Sequence, residues 1–182
     1  MKKILIPIAD GFEEIETMTL VDILRRAGME VVLAGIKGGT IIGSRKVKVL
    51  PDRDLNEVLH EDFDAVVLPG GQPGVDHLRK DSRVIKLLQK YQKDQKWIGA
   101  ICAAPMVLGD AGLIAGKMIT SYPGVESELT GALYRNDRVV CDGRLITSRG
   151  PGSALEFSLK LVELIAGKSK ADEIAEATLA IR

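Results

Sequence analysis

The chain is 182 residues long, 46% hydrophobic and 27% charged, with Lys+Arg and Asp+Glu balanced at 25 each. That length suits one domain, 1–182, with a substantial core, while zero net charge and 4% aromatics leave no strong nucleic-acid signal. No run approaches the ~20 apolar residues of a membrane span, the apolar start is too short for a signal peptide, and two cysteines make no disulfide framework, so a reducing, cytoplasmic setting is expected.

Residues 3–9 read as a first strand, with Pro7 an irregularity near its end. Asp10-Gly11 marks a turn, and a helix is predicted over 13–27, closed by Gly28. Its apolar stripe is Leu20, Ile23, Leu24 and Ala27. Four residues back from Leu20 stands Glu16, so this carboxylate faces the protein, where it needs a partner or a proton. The ordinary alternative is a local cap or salt bridge. Glu13 and Glu14 suit the positive end of the helix dipole, with Glu14 on another face.

A second strand covers 30–35. Residues 40–50 hold short β-like runs broken by Gly43-Ser44-Arg45-Lys46, an edge ribbon or excursion. A short helix is predicted over 54–60 and a buried strand over 65–68, ending in Pro69-Gly70-Gly71-Gln72-Pro73-Gly74. This is no phosphate loop. Its glycines allow backbone N–H groups to face an anion, although a plain tight turn is the commoner reason for Gly-Gly.

Residues 82–95 form a helix with Val84, Leu87, Leu88 and Tyr91 on one face. The run 97–101 is a buried strand leading to Cys102, and Pro105 starts the next helix, which stops near Ala111-Gly112. A strand is expected over 117–121, before Tyr122-Pro123-Gly124. Strands 139–141 and 145–148 flank Asp142-Gly143, a hairpin signal. Arg149-Gly150-Pro151-Gly152 leads into a helix over 154–166, and a last helix covers 170–180.

The alternation of strands and helices predicts an α/β fold: a doubly wound, mostly parallel sheet with helices on both faces. Ligands bind such sheets at the carboxyl ends of the strands. The loops at 10–16, 69–74 and 102–105 all follow strands and therefore converge on one edge.

At that edge Cys102 sits where a strand meets a helix, a position whose dipole and free N–H groups favour a thiolate. Gly99, Ala100, Ala103 and Ala104 leave room for a sharp turn and for a substrate. The competing reading is an inert buried thiol. A thiolate here would attack a carbonyl, with the Gly71 and Ala103 N–H groups receiving the oxyanion and Glu16 moving a proton. The only histidines, His60 and His77, precede Cys102, so the downstream histidine of a glutamine amidotransferase is missing. An approach by His77 stays open. Nothing in the sequence forms a zinc site or calls for a cofactor. Cys141 reads as a strand residue without chemistry.

The segments Gly11-Phe12-Glu13-Glu14-Ile15-Glu16-Thr17, Val66-Val67-Leu68-Pro69-Gly70-Gly71, Ala100-Ile101-Cys102-Ala103-Ala104-Pro105 and Thr147-Ser148-Arg149-Gly150-Pro151-Gly152 resemble the ThiJ/PfpI superfamily. The resemblance is to its parkinsonism-associated (DJ-one) branch, nearest the bacterial members, and covers essentially the whole chain. It implies a flavodoxin-like homodimer with Cys102 as an oxidisable cysteine at a strained elbow and Glu16 as its buried, protonated acid. It further implies a substrate and oxyanion site built from Gly70, Gly71 and Ala103. Tyr122, Arg149, Arg45 and Arg26 would surround that site, one arginine reaching over from the dimer partner.

The activities implied are a cofactor-free glyoxalase, turning methylglyoxal into lactate, and a deglycase acting on early glyoxal adducts. The partners are then small aldehydes or glycated amino groups. The alternative is a redox sensor or chaperone in which Cys102 becomes a sulfinate. Two departures stand out: Tyr122-Pro123 replaces the His-Pro of the human-type branch, and Ala103 replaces the histidine of the PfpI peptidases, which disfavours peptidase activity.

Overall fold

Strand β1 (Lys3–Ile8) sends Ile4, Ile6 and Ile8 to one side and Leu5 to the other, so both of its faces are buried. The structure, a computed structural model, describes residues 1–180; the last two residues of the expected 1–182 domain lie outside them. Helix α1 (Glu14–Arg26) returns the chain to β2 (Glu30–Gly35), which pairs in parallel with β1 from Lys3↔Glu30 to Ile8↔Gly35. The reversal after α1 uses Gly28 at φ +77°, a conformation that favours glycine. Pro7 stays within β1 because the ladder to β6 (Ala65–Leu68) is finished by Leu5, so its missing N–H interrupts no bond.

Next come an antiparallel ribbon of β3 (Ile41–Ile42) and β4 (Lys48–Val49), the edge strand β5 (Arg53–Asp54) and the single turn α2 (Leu55–Val58). Beyond β6 the chain runs through α3 (Gly74–Lys80), α4 (Ser82–Lys93), β7 (Trp97–Ile101) and α5 (Pro105–Asp110). A small parallel pair, β8 (Met118–Ile119) and β9 (Leu133–Tyr134), precedes the hairpin β10 (Val139–Asp142) and β11 (Leu145–Ser148). Helices α6 (Ala154–Ala166) and α7 (Lys168–Ala177) close the described chain.

The seven-stranded sheet has the order β10-β11-β7-β6-β1-β2-β5, parallel throughout except for β10. One face carries Ile4, Ile6, Ile8, Ala65, Val67 and Ile101 against α1, α6 and α7. The other carries Leu5, Val66, Leu68, Ile98 and Ala100 against α3, α4 and α5. The fold is thus the expected doubly wound α/β sheet. Strand order reverses at β1, with β2 on one side and β6 on the other, which opens a crevice at the carboxyl ends of β1 and β6.

Some elements differ from the sequence expectation. Helix α3 has no clear signal in the sequence: it brings only Val75 and Leu78 to the core, too few to set a period, and it starts inside a loop rich in Pro and Gly. The expected 54–60 helix shrinks to the turn α2, and the last helix spans Lys168–Ala177 rather than 170–180.

Candidate active site

Three loops interlock at the crevice. The Glu13 N–H donates to the Gly70 carbonyl at 2.9 Å, tying the start of α1 to the loop after β6. A side chain on Gly71, at φ +96°, would come within 2.5 Å of the Gly11 carbonyl oxygen, and one on Gly11, at φ +89°, within 2.6 Å of the Pro73 nitrogen. Both loops therefore need glycine twice over, for conformation and for space.

Cys102 follows the last residue of β7 and adopts φ +65°, the left-handed region that costs an ordinary residue about 1–2 kcal/mol. Its surroundings enforce that conformation. The Cys102 N–H donates to the Ser148 carbonyl of β11, and its own carbonyl accepts from the Tyr122 N–H, both at 2.9 Å. Bonds from Ala104 N to the Ile101 carbonyl (3.0 Å) and from Met106 N to the Ala103 carbonyl (3.1 Å) complete the turn into α5. The thiol is partly accessible, and the Ala103 and Gly71 N–H groups both donate toward its sulfur.

Glu16, on the core-facing stripe of α1, is fully buried. Its Oε2 accepts from the Gly70 N–H at 2.7 Å, whereas Oε1 has no conventional partner. The carboxyl lies against the Cys102 thiol closely enough that each perturbs the other. Burial raises the Glu16 pKa to about 7, opposed by the Gly70 N–H and the thiol and reinforced by the charge on Glu13. Burial likewise pushes the Cys102 thiol up to about 12, with the Glu16 charge adding to it and the Ala103 and Gly71 amides opposing it.

The expectation that a helix start alone depresses the thiol pKa is therefore corrected. Helix α5 has only six residues, and desolvation next to a carboxylate outweighs it. Protonating Glu16 removes that charge and turns the acid into a donor, which takes away one cause of the raised thiol pKa and leaves burial as the larger one.

The structure brings Cys102, Glu16, Gly70, Gly71 and Ala103 together. Tyr122 lies at the rim, half-exposed, with its ring over Gly150, where an added side chain would stand 3.1 Å from Tyr122 Cδ2 and 4.0 Å from Cys102 Sγ. Arg149 shares a shallow depression of about 180 Å³ with Tyr122 and Gly150, and its guanidinium donates to the Asn136 carbonyl at 3.0 Å. Arg45 is exposed on the β3–β4 ribbon. Arg26 pairs with Asp22 at 2.8 Å near the far end of α1, about 15 Å of helix beyond Glu16, so this chain does not bring it to its own thiol. His77 donates from Nδ1 to the Asp10 carbonyl at 3.0 Å, since a carbonyl only accepts, and serves the turn after β1.

Glu14, on another face of α1 than Glu16, is also buried. It receives the Arg45 N–H at 2.7 Å, the Val47 N–H at 3.3 Å and the Ser44 hydroxyl at 3.0 Å. Those donors hold its pKa below the usual value despite burial. The carboxylate clamps the β3–β4 ribbon onto the start of α1. Helical spacing does not reveal this burial, because the ribbon and not the sheet provides it.

Fold and site together define an α/β protein with a cysteine elbow and an acid at the switch point of its sheet. The chain belongs to the DJ-1/PfpI family, whose sequence profile matches residues 2–164. It is 46% identical over 181 residues to protein dj-1beta of Drosophila melanogaster, covering 98% of this chain and 97% of that one. It is 41% identical to the DJ-1 homolog B of Arabidopsis thaliana, of which it spans 41%. The glutathione-independent glyoxalase DJR-1.2 of Caenorhabditis elegans is 38% identical over 94% of this chain and 91% of its own length. The crystal structure of Drosophila DJ-1beta superposes with a TM-score of 0.97 over 100% of this chain and 99% of that one at 45% identity. The oxidized DJ-1 of Toxoplasma gondii gives 0.97 over 100% of both chains at 36% identity. The family thus includes a glyoxalase that works without glutathione.

Proposed function

We propose that this protein is a cofactor-free enzyme that uses Cys102 to act on α-oxoaldehydes such as methylglyoxal, or on their early adducts with amines. The observation that carries the reading is the fully buried Glu16, with one oxygen unpartnered, against a strained and accessible cysteine flanked by two amides. A structural acid would have both oxygens satisfied.

In the reaction the Cys102 sulfur adds to the aldehyde carbon, and the carbonyl oxygen takes up a proton to form a hemithioacetal. The Gly71 and Ala103 N–H groups stabilise the oxyanion as it develops. Glu16 as carboxylate, helped by solvent, removes the proton from that carbon, and the resulting enediol is reprotonated on the adjacent carbon. The product is a 2-hydroxy thioester, and water cleaves it to the hydroxy acid and the free thiol. No electron leaves the system, so no redox cofactor enters. On a hemiaminal adduct the hydroxyl gives up its proton as the aldehyde re-forms, Glu16 supplies a proton to the departing amine, and the sulfur then adds to the freed aldehyde carbon to give the same hemithioacetal.

Incubating pure protein with methylglyoxal, without glutathione, should yield lactate, and Cys102→Ala should abolish it. Equal rates for the two proteins would overturn the reading.

A second reading is favoured by the two amides that face the sulfur and by the likeness to an oxidized relative. Peroxide would convert Cys102 to a sulfinate held by those amides and by protonated Glu16. Intact-mass spectra should then show two oxygens added to Cys102 before Cys141.

The working unit is a homodimer. Ile15 and Met18 project from one face of α1, 57% and 37% exposed, and Val47, 49% exposed, lies on the ribbon that Glu14 clamps to the start of that helix. A second copy covering this face would bring Arg45 or Arg26 toward the neighbouring site.

A further inference from the structure

Three walls of the site come from separate parts of the chain: the loop before α3, the elbow before α5 and the segment after β8. One side chain ties all three together. Arg79, in the last turn of α3, donates from Nε to Asp110 Oδ2 at 2.6 Å and from Nη2 to Oδ1 at 3.2 Å, a forked pair at the end of α5. Its Nη1 donates to Glu128 Oε2 at 2.8 Å and to Met106 Sδ at 3.5 Å.

Each arm leads back to Cys102. Met106, on α5, donates its N–H to the Ala103 carbonyl at the elbow. Glu128 ends a single turn, Glu126–Glu128, whose bonds run back along the chain: Glu128 N–H to the Val125 carbonyl at 3.0 Å, and Val125 N–H to the Tyr122 carbonyl at 3.2 Å. Tyr122 in turn donates to the Cys102 carbonyl. On the helix of Arg79 itself, the Val75 N–H holds the Gly71 carbonyl at 2.9 Å. These bonds close a circuit through Cys102, and the guanidinium is its joint.

Apolar burial fixes α3 only weakly, since Val75 and Leu78 alone reach the core. Cys102, at φ +65°, keeps its strained backbone only while the structure around it holds firm. The ion pairs of Arg79 are partly exposed, with side chains 26% (Arg79), 38% (Asp110) and 52% (Glu128) accessible, and such pairs add little to global stability. Four contacts from one side chain at this place therefore matter more for geometry than for folding.

We propose that Arg79 is a positioning residue for Cys102: its guanidinium locks the loop before α3, the elbow helix and the Tyr122 segment against one another, and so keeps the Gly71 and Ala103 amides on the sulfur. Its effect on turnover rests on the reading that Cys102 attacks carbonyls. Its effect on the thiol does not.

Two readouts separate these effects. In Cys141→Ser protein, alkylation by iodoacetamide at pH 7.5 reads Cys102 alone, and lactate formation from methylglyoxal reads kcat and KM. Arg79→Met keeps an unbranched apolar stem and removes the guanidinium. Alkylation should then slow by about threefold or more, the scale of one weakened hydrogen bond. The kcat should fall by about tenfold with KM within about twofold, because misplaced groups cost turnover. Glu128→Gln weakens only the Tyr122 arm and should give a smaller change in the same direction. Added to Arg79→Met it should do nothing more, because that arm is already gone. Arg53→Met removes a comparable pair of carboxylate contacts at the far edge strand of the sheet and should leave both readouts as in the parent protein.

Parent-like alkylation and kcat in folded Arg79→Met overturn the proposal. So does an equal loss in Arg53→Met, which would mark a general loosening of the fold. If Arg79→Met does not fold, parent-like readouts in Glu128→Gln overturn it instead. If alkylation slows as expected while the parent protein turns over no carbonyl compound, the enzymatic reading fails and the positioning of the thiol stands. If methylglyoxal is turned over and Arg79→Met matches the parent in both readouts, the reverse holds.

Discussion

A side chain on Gly70 would place its Cβ 2.5 Å from the Cβ of Cys102 and 2.8 Å from Oε2 of Glu16. Gly70 is the spacer that lets acid and nucleophile meet, and its N–H is the donor that orients the acid. Gly70→Ala must displace one of them. It should cost about 1–3 kcal/mol of stability, as overpacking does, and lower turnover by more than about tenfold, as misplaced catalytic groups do. Gly152→Ala is the control: nothing lies within 4 Å of the added carbon, so its melting temperature should stay close to that of the parent.

Burial of Glu16 makes stability depend on pH. Its pKa rises from 4.5 to about 7 on folding, so the folded state holds this proton more tightly than the unfolded chain. The stabilisation is complete below about pH 4.5 and is lost as pH rises through 7, a change of about 3 kcal/mol. Glu16→Gln carries no such proton. Its stability relative to the parent protein should therefore improve between pH 5 and 8, measured by urea denaturation at each pH. A difference that stays flat would mean Glu16 is ionised throughout.

Glu14 has the opposite sign. Its pKa is lowered by main-chain donors that outweigh burial, so its contribution is present above the ordinary carboxylate pKa and is lost as pH falls. Glu14→Ala leaves the Arg45 and Val47 N–H groups without their acceptor, a loss of about 1–3 kcal/mol. Hydrogen exchange should show it first at residues 43–47, with the β1–β2 ladder still protected.

Placing an acid on the apolar face tests assembly. Met18→Glu or Val47→Glu should shift the protein to monomer in sedimentation, because each would bury a charge unpaired. Ile165→Val, on the far part of α6, should leave the state unchanged.

Period and punctuation made the fold legible. Strands buried on both faces appear as short apolar runs, and Gly28 and Gly167 mark helix ends. The site was legible where one residue type could do the work, as at Cys102, or where polarity broke a stripe, as at Glu16. Contacts made across space left no mark. Glu14 is buried by a ribbon 30 residues on. Ser148 holds the elbow through its carbonyl, which every residue has. The rise of the Cys102 pKa needs the distance between two loops, which spacing in sequence does not encode.

The mutual perturbation of Cys102 and Glu16 lets nucleophilicity be measured apart from proton transfer. In Glu16→Gln the negative neighbour is gone and an amide donor replaces it, which removes one cause of the raised thiol pKa. Alkylation of Cys102 by iodoacetamide at pH 7.5 should therefore hold or rise. The proton shuttle is lost at the same time, so lactate formation from methylglyoxal should fall by about 100-fold or more, within the range for loss of a general acid–base group. Cys102→Ser should lose both signals. If alkylation and turnover fell together in Glu16→Gln, the acid would be acting by holding the thiol in place rather than by moving a proton.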